Sequence, residues 1–130
     1  GTGEESREKK PEPIQNASKG ASAQKPQMML GVPKPDNPEV KAVVDAIVAY
    51  AKTEADIKRI DLLLKVDLQQ KKSFVCVVDC SKDQTARIGA AIEKVAGPKM
   101  KEVEKLEFFL YGSAEFVNNM VSNRSIIYQK

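Results

Sequence analysis

Cys80 is the residue whose type and position come nearest to a reactive group in this chain of 130 residues. It follows a continuous apolar run at residues 74–78 and precedes Ser81, which pairs with Gln84 in a capping-box pattern that predicts a helix start. The backbone N–H groups and the dipole at a helix start lower the pKa of a nearby thiol. One hypothesis for the function is therefore thiol chemistry at Cys80, with sulfur transfer as its form.

The segment after Cys80 lacks the other features of known thiol sites. Rhodanese-like sulfurtransferases and cysteine phosphatases surround a substrate anion with successive backbone amides, usually with glycines and an arginine. Residues 80–87 contain no glycine, Arg87 lies one position beyond the phosphatase spacing, and Asp83 would repel an anion. The alternative interpretation is that Cys80 is an inert small residue at the end of a strand, while Cys76 packs in the core.

No histidine occurs in the chain. This excludes Ser-His and Cys-His nucleophile pairs, imidazole acid–base catalysis near neutral pH, and histidine-ligated zinc. Asp61 and Asp67 alternate with core residues of a predicted strand and are expected to point to solvent, while Asp79 ends the next strand. We therefore expect a protein without enzyme activity, without a metal site and without a cofactor.

The distribution of charge favours a solvated surface over a nucleic-acid interface. Lys and Arg number 21 against 18 Asp and Glu, and the two signs alternate along the chain, whereas sequence-independent nucleic-acid binding needs a basic stripe. Residues 72–79 lie where RNA-recognition domains carry their main motif, yet its base-stacking aromatics would fall on Cys76 and Asp79, which cannot stack. We expect no nucleic-acid partner.

The sequence also predicts a protein that acts away from membranes and in a reducing compartment. No apolar run approaches the roughly 18 residues that a membrane-spanning helix requires. Cys76 and Cys80 would lie on one face of a strand about 13 Å apart, which is too far for a disulfide. Two free thiols in a small domain without disulfides indicate a reducing compartment.

Composition divides the chain into two parts. Residues 1–27 contain almost no large apolar side chains and are rich in Glu, Lys, Ser, Pro and Gln, so they are predicted to form a disordered tail or linker. Residues 28–130 carry the hydrophobic patterns of a single domain. Because the first residue is Gly rather than Met, we expect a further domain upstream in a longer protein.

Residues 28–130 alternate between strand-like and helix-like patterns in the order β-α-β-β-α-β, followed by a short third helix and a C-terminal tail. This order is that of ferredoxin-like α+β domains, in which two helices pack on one face of an antiparallel sheet. The first half is predicted to contain a first strand at 28–30, a helix at 38–53 capped by Asn37, and strands at 60–68 and 74–78. The second half is predicted to contain a helix between Ser81 and Gly97, a strand at 106–110, a helix capped by Ser113, and a terminal strand at 125–128.

Several of these segments resemble the C-terminal domain of the SseB family, the enhanced serine sensitivity proteins. The resemblance implies a bacterial, cytoplasmic protein with a second related domain upstream, and it carries over no catalytic residues. It covers residues 28–128, although the Pro-Phe-Tyr ending frequent in the family is reduced here to Tyr128. The matching segments are MLGVP at 29–33, NPE at 37–39, IKRIDLLL at 57–64, FVCVVD at 74–79 and IIY at 126–128.

Strand residues out of phase with the core predict an apolar patch on the second face of the sheet, which something must cover. The third helix is the favoured cover, and the alternatives are the upstream domain or a second copy of the chain. Our main hypothesis is therefore a non-enzymatic protein-interaction or regulatory domain, whose partner is a protein. The predicted interaction surface consists of Leu63, Val75, Val77, Phe109, Tyr111, Phe116 and Met120.

Overall fold

A computed structural model of the chain describes residues 28–130. The tail or linker predicted at residues 1–27 lies outside the described residues. The described part contains five strands and three α-helices. Their bounds are β1 Met29–Gly31, α1 Pro38–Ala51, β2 Arg59–Val66, β3 Lys72–Asp79, α2 Thr85–Ala96, β4 Lys105–Leu110, α3 Glu115–Met120 and β5 Ile126–Gln129.

Helix α1 begins as the sequence predicts. The side-chain oxygen of Asn37 accepts hydrogen bonds from the N–H groups of Glu39 and Val40, at 2.9 and 3.2 Å. Val43 and Ile47, one turn apart, are fully buried in the core. The cap therefore fixes where α1 starts, and the apolar stripe fixes which of its faces is buried.

The start of α2 corrects the predicted capping box. Ser81 precedes a 3-10 turn at Lys82–Gln84, and α2 itself begins at Thr85. The N–H and the hydroxyl of Ser81 both donate to the carboxylate of Asp56, at 2.8 and 2.6 Å. Because its hydroxyl is engaged by a residue from another loop, Ser81 does not cap the turn with its side chain.

The third helix also starts differently from its prediction. α3 begins at Glu115 after Ala114, so Ser113 does not cap it. The predicted terminal strand is confirmed, because β5 pairs with β2.

The five strands form one mixed sheet, which corrects the antiparallel ferredoxin-like sheet that the element order predicts. The order across the sheet is β1-β2-β3-β4, with β5 also paired to β2. β1 lies beside the C-terminal half of β2 and β5 beside its N-terminal half. The predicted hairpin of β2 and β3 is confirmed, but β3 and β4 are parallel.

The two helical connections explain this difference. In the ferredoxin-like arrangement, another strand lies between each pair of strands that a helix connects. Here β1 is only three residues long and pairs directly with residues 64–66 of β2, so α1 carries the chain onward to the start of β2. α2 instead returns the chain across the sheet, and β4 therefore lies beside β3 in parallel.

Helices α1 and α2 pack on the same face of the sheet, as predicted. Gly89 of α2 lies against Phe108 of β4, and a Cβ added to Gly89 would meet the Phe108 ring at 3.3 Å. The glycine thus permits the close approach of helix and sheet. Sheet residues in this core are Ile60, Leu62, Phe74, Cys76 and Val78.

Helix α3 covers the opposite face. Its Val117 is fully buried and packs with Leu63 of β2 and Val75 and Val77 of β3. The third helix therefore covers this face, as favoured in the sequence-based prediction. Among residues 28–130, no helix is long and apolar enough to cross a bilayer.

Candidate interaction surface

The residues predicted as an interaction surface come together on the face that α3 covers. Six of the seven belong to one cluster around Val117, and the ring of Phe116 lies perpendicular to that of Phe109, with centroids 5.7 Å apart. Most of these side chains hold α3 on the sheet. Phe116 is 56% exposed, so it is the member that reaches solvent. The role of this cluster in binding stays a prediction.

Asp61 is fully buried, which corrects the expectation that it points to solvent. Its carboxylate accepts hydrogen bonds from the guanidinium of Arg59, at 2.6 and 3.0 Å, and from the hydroxyl of Ser125, at 2.6 Å. Alternation along β2 places Asp61 on the second face, as predicted, but the turn before β5 covers that face at this point. A buried charge is tolerated here because it is paired and hydrogen-bonded.

Arg59 extends this polar contact toward β4 and the chain after α3. Its guanidinium lies 5.1 Å from the centre of the Tyr111 ring and donates to the Ser122 carbonyl at 3.4 Å. The hydrogen bond with Asp61 raises the pKa of Arg59. The sequence signal that could have revealed the pair is the opposite charge of Arg59 and Asp61 two positions apart on one strand face.

Cys80 lies at the end of β3 and is partly exposed. Burial raises the pKa of its thiol, and the carboxylates of Asp56 and Asp79 add to this effect, against a hydrogen bond with Thr85 and the charge of Arg87. Thr85 is the first residue of α2, so the thiol lies beside that helix start, but burial outweighs this contact. This environment favours the neutral thiol over the thiolate.

Cys76 is fully buried, which confirms its predicted place in the core. Burial raises the pKa of Cys76 to about 12, and the nearby charge of Asp61 contributes. This thiol is a packing group. The residues described by the structure hold no cluster of three or more His, Cys, Asp or Glu side chains that could bind a metal ion.

Strand β1 presents an exposed apolar surface, whereas the sequence predicts only a short segment at residues 28–30. Met29 and Leu30 project to opposite faces of the sheet, yet they are 68% and 43% exposed. β1 is also an edge strand, with β2 as its one partner among the described residues. The exposed large apolar side chains at this edge are Met28, Met29, Leu30 and Val32.

A cavity of about 560 Å³ opens beside this edge on the side of α1. Val32 and Pro33 line one wall, Val44 of α1 another, and Leu62 of β2 and Ile126 of β5 complete the apolar lining. The cavity lies where the chain leaves β1 and returns at β5, between the two strands that share one side of β2. Its volume is sufficient for a large apolar side chain.

A mixed sheet with two helices on one face and a short helix on the other defines an α+β domain. The sequence matches the family described as the SseB protein C-terminal domain over residues 22–130. This match spans most of the chain, which therefore belongs to the SseB C-terminal domain family. The resemblance found in the sequence is thereby confirmed. A comparison with curated proteins finds no match.

Proposed function

We propose that this domain is a protein-interaction module without enzyme activity, and that the β1 edge is its contact surface. The observation that carries the proposal is the clustering of exposed apolar side chains. Of the six large apolar residues that are most exposed within residues 28–130, four lie within residues 28–32, in and around β1. Met29 and Leu30 leave apolar side chains exposed on both faces of this edge strand, and apolar surface concentrated at an edge is typical of protein contact sites.

The geometry favours a partner segment in an extended conformation. An edge strand offers main-chain donors and acceptors to an added strand, while neighbouring pockets select its side chains. At β1 both elements are present, because Val32 follows the strand and also lines the 560 Å³ cavity. The partner is therefore a protein segment, in trans or from an upstream domain, that carries a large apolar side chain for this cavity.

The proposal treats Cys80 as a structural thiol. Its raised pKa leaves little thiolate at neutral pH, and sulfur transfer requires a thiolate nucleophile. The proposal also assigns the domain to a bacterial cytoplasmic protein, with neither nucleic acid nor a membrane as partner. Rapid labelling of Cys80 below pH 7, or sulfur transfer lost in Cys80→Ser, would contradict the assignment.

Affinity capture with matched variants tests the contact surface. The full chain is compared with the double variant Met29→Glu/Leu30→Glu and with Lys94→Glu, which changes an exposed residue of α2 by the same net charge. We expect a protein captured by the full chain to be lost by the edge variant and retained by the control. Identical capture by all three, with each variant folded by circular dichroism, would contradict the proposal.

A further inference from the structure

Strand β4 forms the sheet edge opposite β1, and within residues 28–130 no strand lies on its outer side. The N–H of Tyr111, just beyond the strand, donates to the Val78 carbonyl of β3 at 2.8 Å. Since successive residues of a strand direct their backbone groups to opposite sides, those of Leu106, Phe108 and Leu110 point away from β3. Leu106 and Phe108 therefore offer main-chain donors and acceptors to another strand, while the Leu110 carbonyl already accepts from the N–H of Ser113 at 3.0 Å.

The charges on β4 are complementary to those of a second copy of the same strand. Lys105 is exposed, and Glu107, two residues later on the same face, forms an ion pair with Lys65. When two copies lie antiparallel about a twofold axis at Leu106, Lys105 of each copy is opposite Glu107 of the other. Leu106 then faces its own symmetry mate, and the two residues exchange both main-chain hydrogen bonds.

The main-chain contact in this register is short. Phe108 of the second copy lies opposite Glu104, but the N–H of Glu104 donates to the Lys72 carbonyl of β3 at 2.9 Å and does not face outward. Main-chain pairing is therefore centred on Leu106, and the two Lys105–Glu107 pairs beside it fix the register.

We infer that β4 is a self-association edge, through which two copies of this chain pair antiparallel with Leu106 at the twofold axis. The inference goes beyond the proposed function, because it concerns the other edge of the sheet and a different partner. A contact of two short strands buries less surface than a permanent dimer needs, so the pair forms reversibly at high protein concentration.

Sedimentation equilibrium of the full chain, from about 10 µM to about 1 mM, measures this dimer. Lys105→Glu places two Glu residues opposite each other at both ends of the contact, and we expect at least a roughly tenfold weaker dimer. Glu107→Lys has the corresponding effect with two Lys residues. An equimolar mixture of the two variants restores both opposite-charge pairs, so a heterodimer of wild-type strength is expected.

Lys41→Glu serves as the control for charge, since Lys41 is exposed on α1 and lines the cavity at the opposite, β1 edge, and we expect this variant to dimerise like the wild type. Met29→Glu/Leu30→Glu separates the two surfaces: dimerisation that survives this variant supports β4, and dimerisation lost in it overturns the inference. A wild-type chain that stays monomeric at about 1 mM would overturn it too. So would a dimer that Lys105→Glu, still folded by circular dichroism, leaves unchanged.

Discussion

At the scale of single residues, Asp61 joins three parts of the chain at one buried point. Its carboxylate binds Arg59 on its own strand and Ser125 before β5, and Arg59 in turn contacts Tyr111 after β4. Hydrogen bonds to a buried charge are stronger than those between neutral groups. Removing one member of a buried ion pair leaves the other member buried without a partner, which is destabilising. The C-terminal segment is therefore held to the sheet by electrostatics as well as by apolar packing.

Asp61→Asn tests this contact because it preserves the size of the side chain and removes its charge. We expect the free energy of unfolding to fall by about 2 to 4 kcal/mol, since the Arg59 guanidinium loses its ionic partner. Urea denaturation followed by circular dichroism measures the change. Asp45→Asn, at an exposed position of α1, is the matched control and should stay within about 0.5 kcal/mol of wild type. Equal stability of Asp61→Asn and wild type would contradict the assignment.

Glu39 forms a second long-range contact, between the first turn of α1 and the loop before β4. Partial burial alone would raise the pKa of its carboxyl group, but hydrogen bonds from the N–H groups of Lys101, Val103 and Glu102 outweigh burial and lower the pKa. A carboxyl group whose pKa is lower in the folded than in the unfolded chain stabilises the fold at pH values above its pKa in the unfolded chain. That contribution is lost as the pH falls through the folded value.

Glu39→Gln is therefore expected to be less stable than wild type at pH 7. The difference should narrow as the pH falls below the ordinary glutamate value of 4.5, because wild-type Glu39 then takes up a proton and loses its advantage. Thermal unfolding from pH 7 to pH 3 measures both proteins in parallel. A difference that stays constant across this range would show that the charge of Glu39 contributes nothing to the contact.

At the scale of elements, local signals in the sequence were sufficient for most helices and strands. Asn37 followed by Pro38 marked the start of α1, and alternation marked β2, because caps and periodicity depend on neighbouring residues. Contacts between distant residues were not predictable in this way. Ser81 fits a capping box by spacing, yet it binds Asp56, which lies on another loop.

Strand order was the main feature of the fold that the sequence did not reveal. The order β-α-β-β-α-β is compatible with several sheets, and the choice depends on how long β1 is and where it pairs. In the candidate site, too, some features could be predicted from local sequence patterns and others depended on contacts between distant residues. The apolar cluster under α3 followed from strand periodicity, whereas the exposure of Met29 and Leu30 depends on the edge position of β1.

Val117 of α3 provides a test of how this short helix covers the second face. Val117→Ala removes two methyl groups from a fully buried position and should lower the free energy of unfolding by about 1 to 3 kcal/mol. Val117→Asp should detach α3 and increase the binding of a hydrophobic dye. Asn118→Asp, at the next and exposed position, is the control. If Val117→Asp kept wild-type stability and bound no dye, α3 would not be the element that covers this face.

At the scale of the whole molecule, helices cover both faces of the sheet, and the proposed contact surfaces lie at its edges. The β1 edge is apolar and adjoins the 560 Å³ cavity, whereas the β4 edge carries the alternating charges of Lys105 and Glu107. The two edges differ in chemistry and suit different partners. The sequence places the interaction surface on a sheet face, and the structure moves the proposed contact to an edge, because α3 occupies that face.

Amide hydrogen exchange tests the central claim, that the β1 edge binds a partner, most directly. The full chain is measured alone and in complex with the protein captured by wild type and lost by Met29→Glu/Leu30→Glu. We predict that the amides of residues 29–32 and those of Lys34 and Asp36 exchange more slowly in the complex, because a partner strand covers the edge and its cavity. Unchanged exchange at residues 29–36, with protection confined to β4 or α3, would contradict the account.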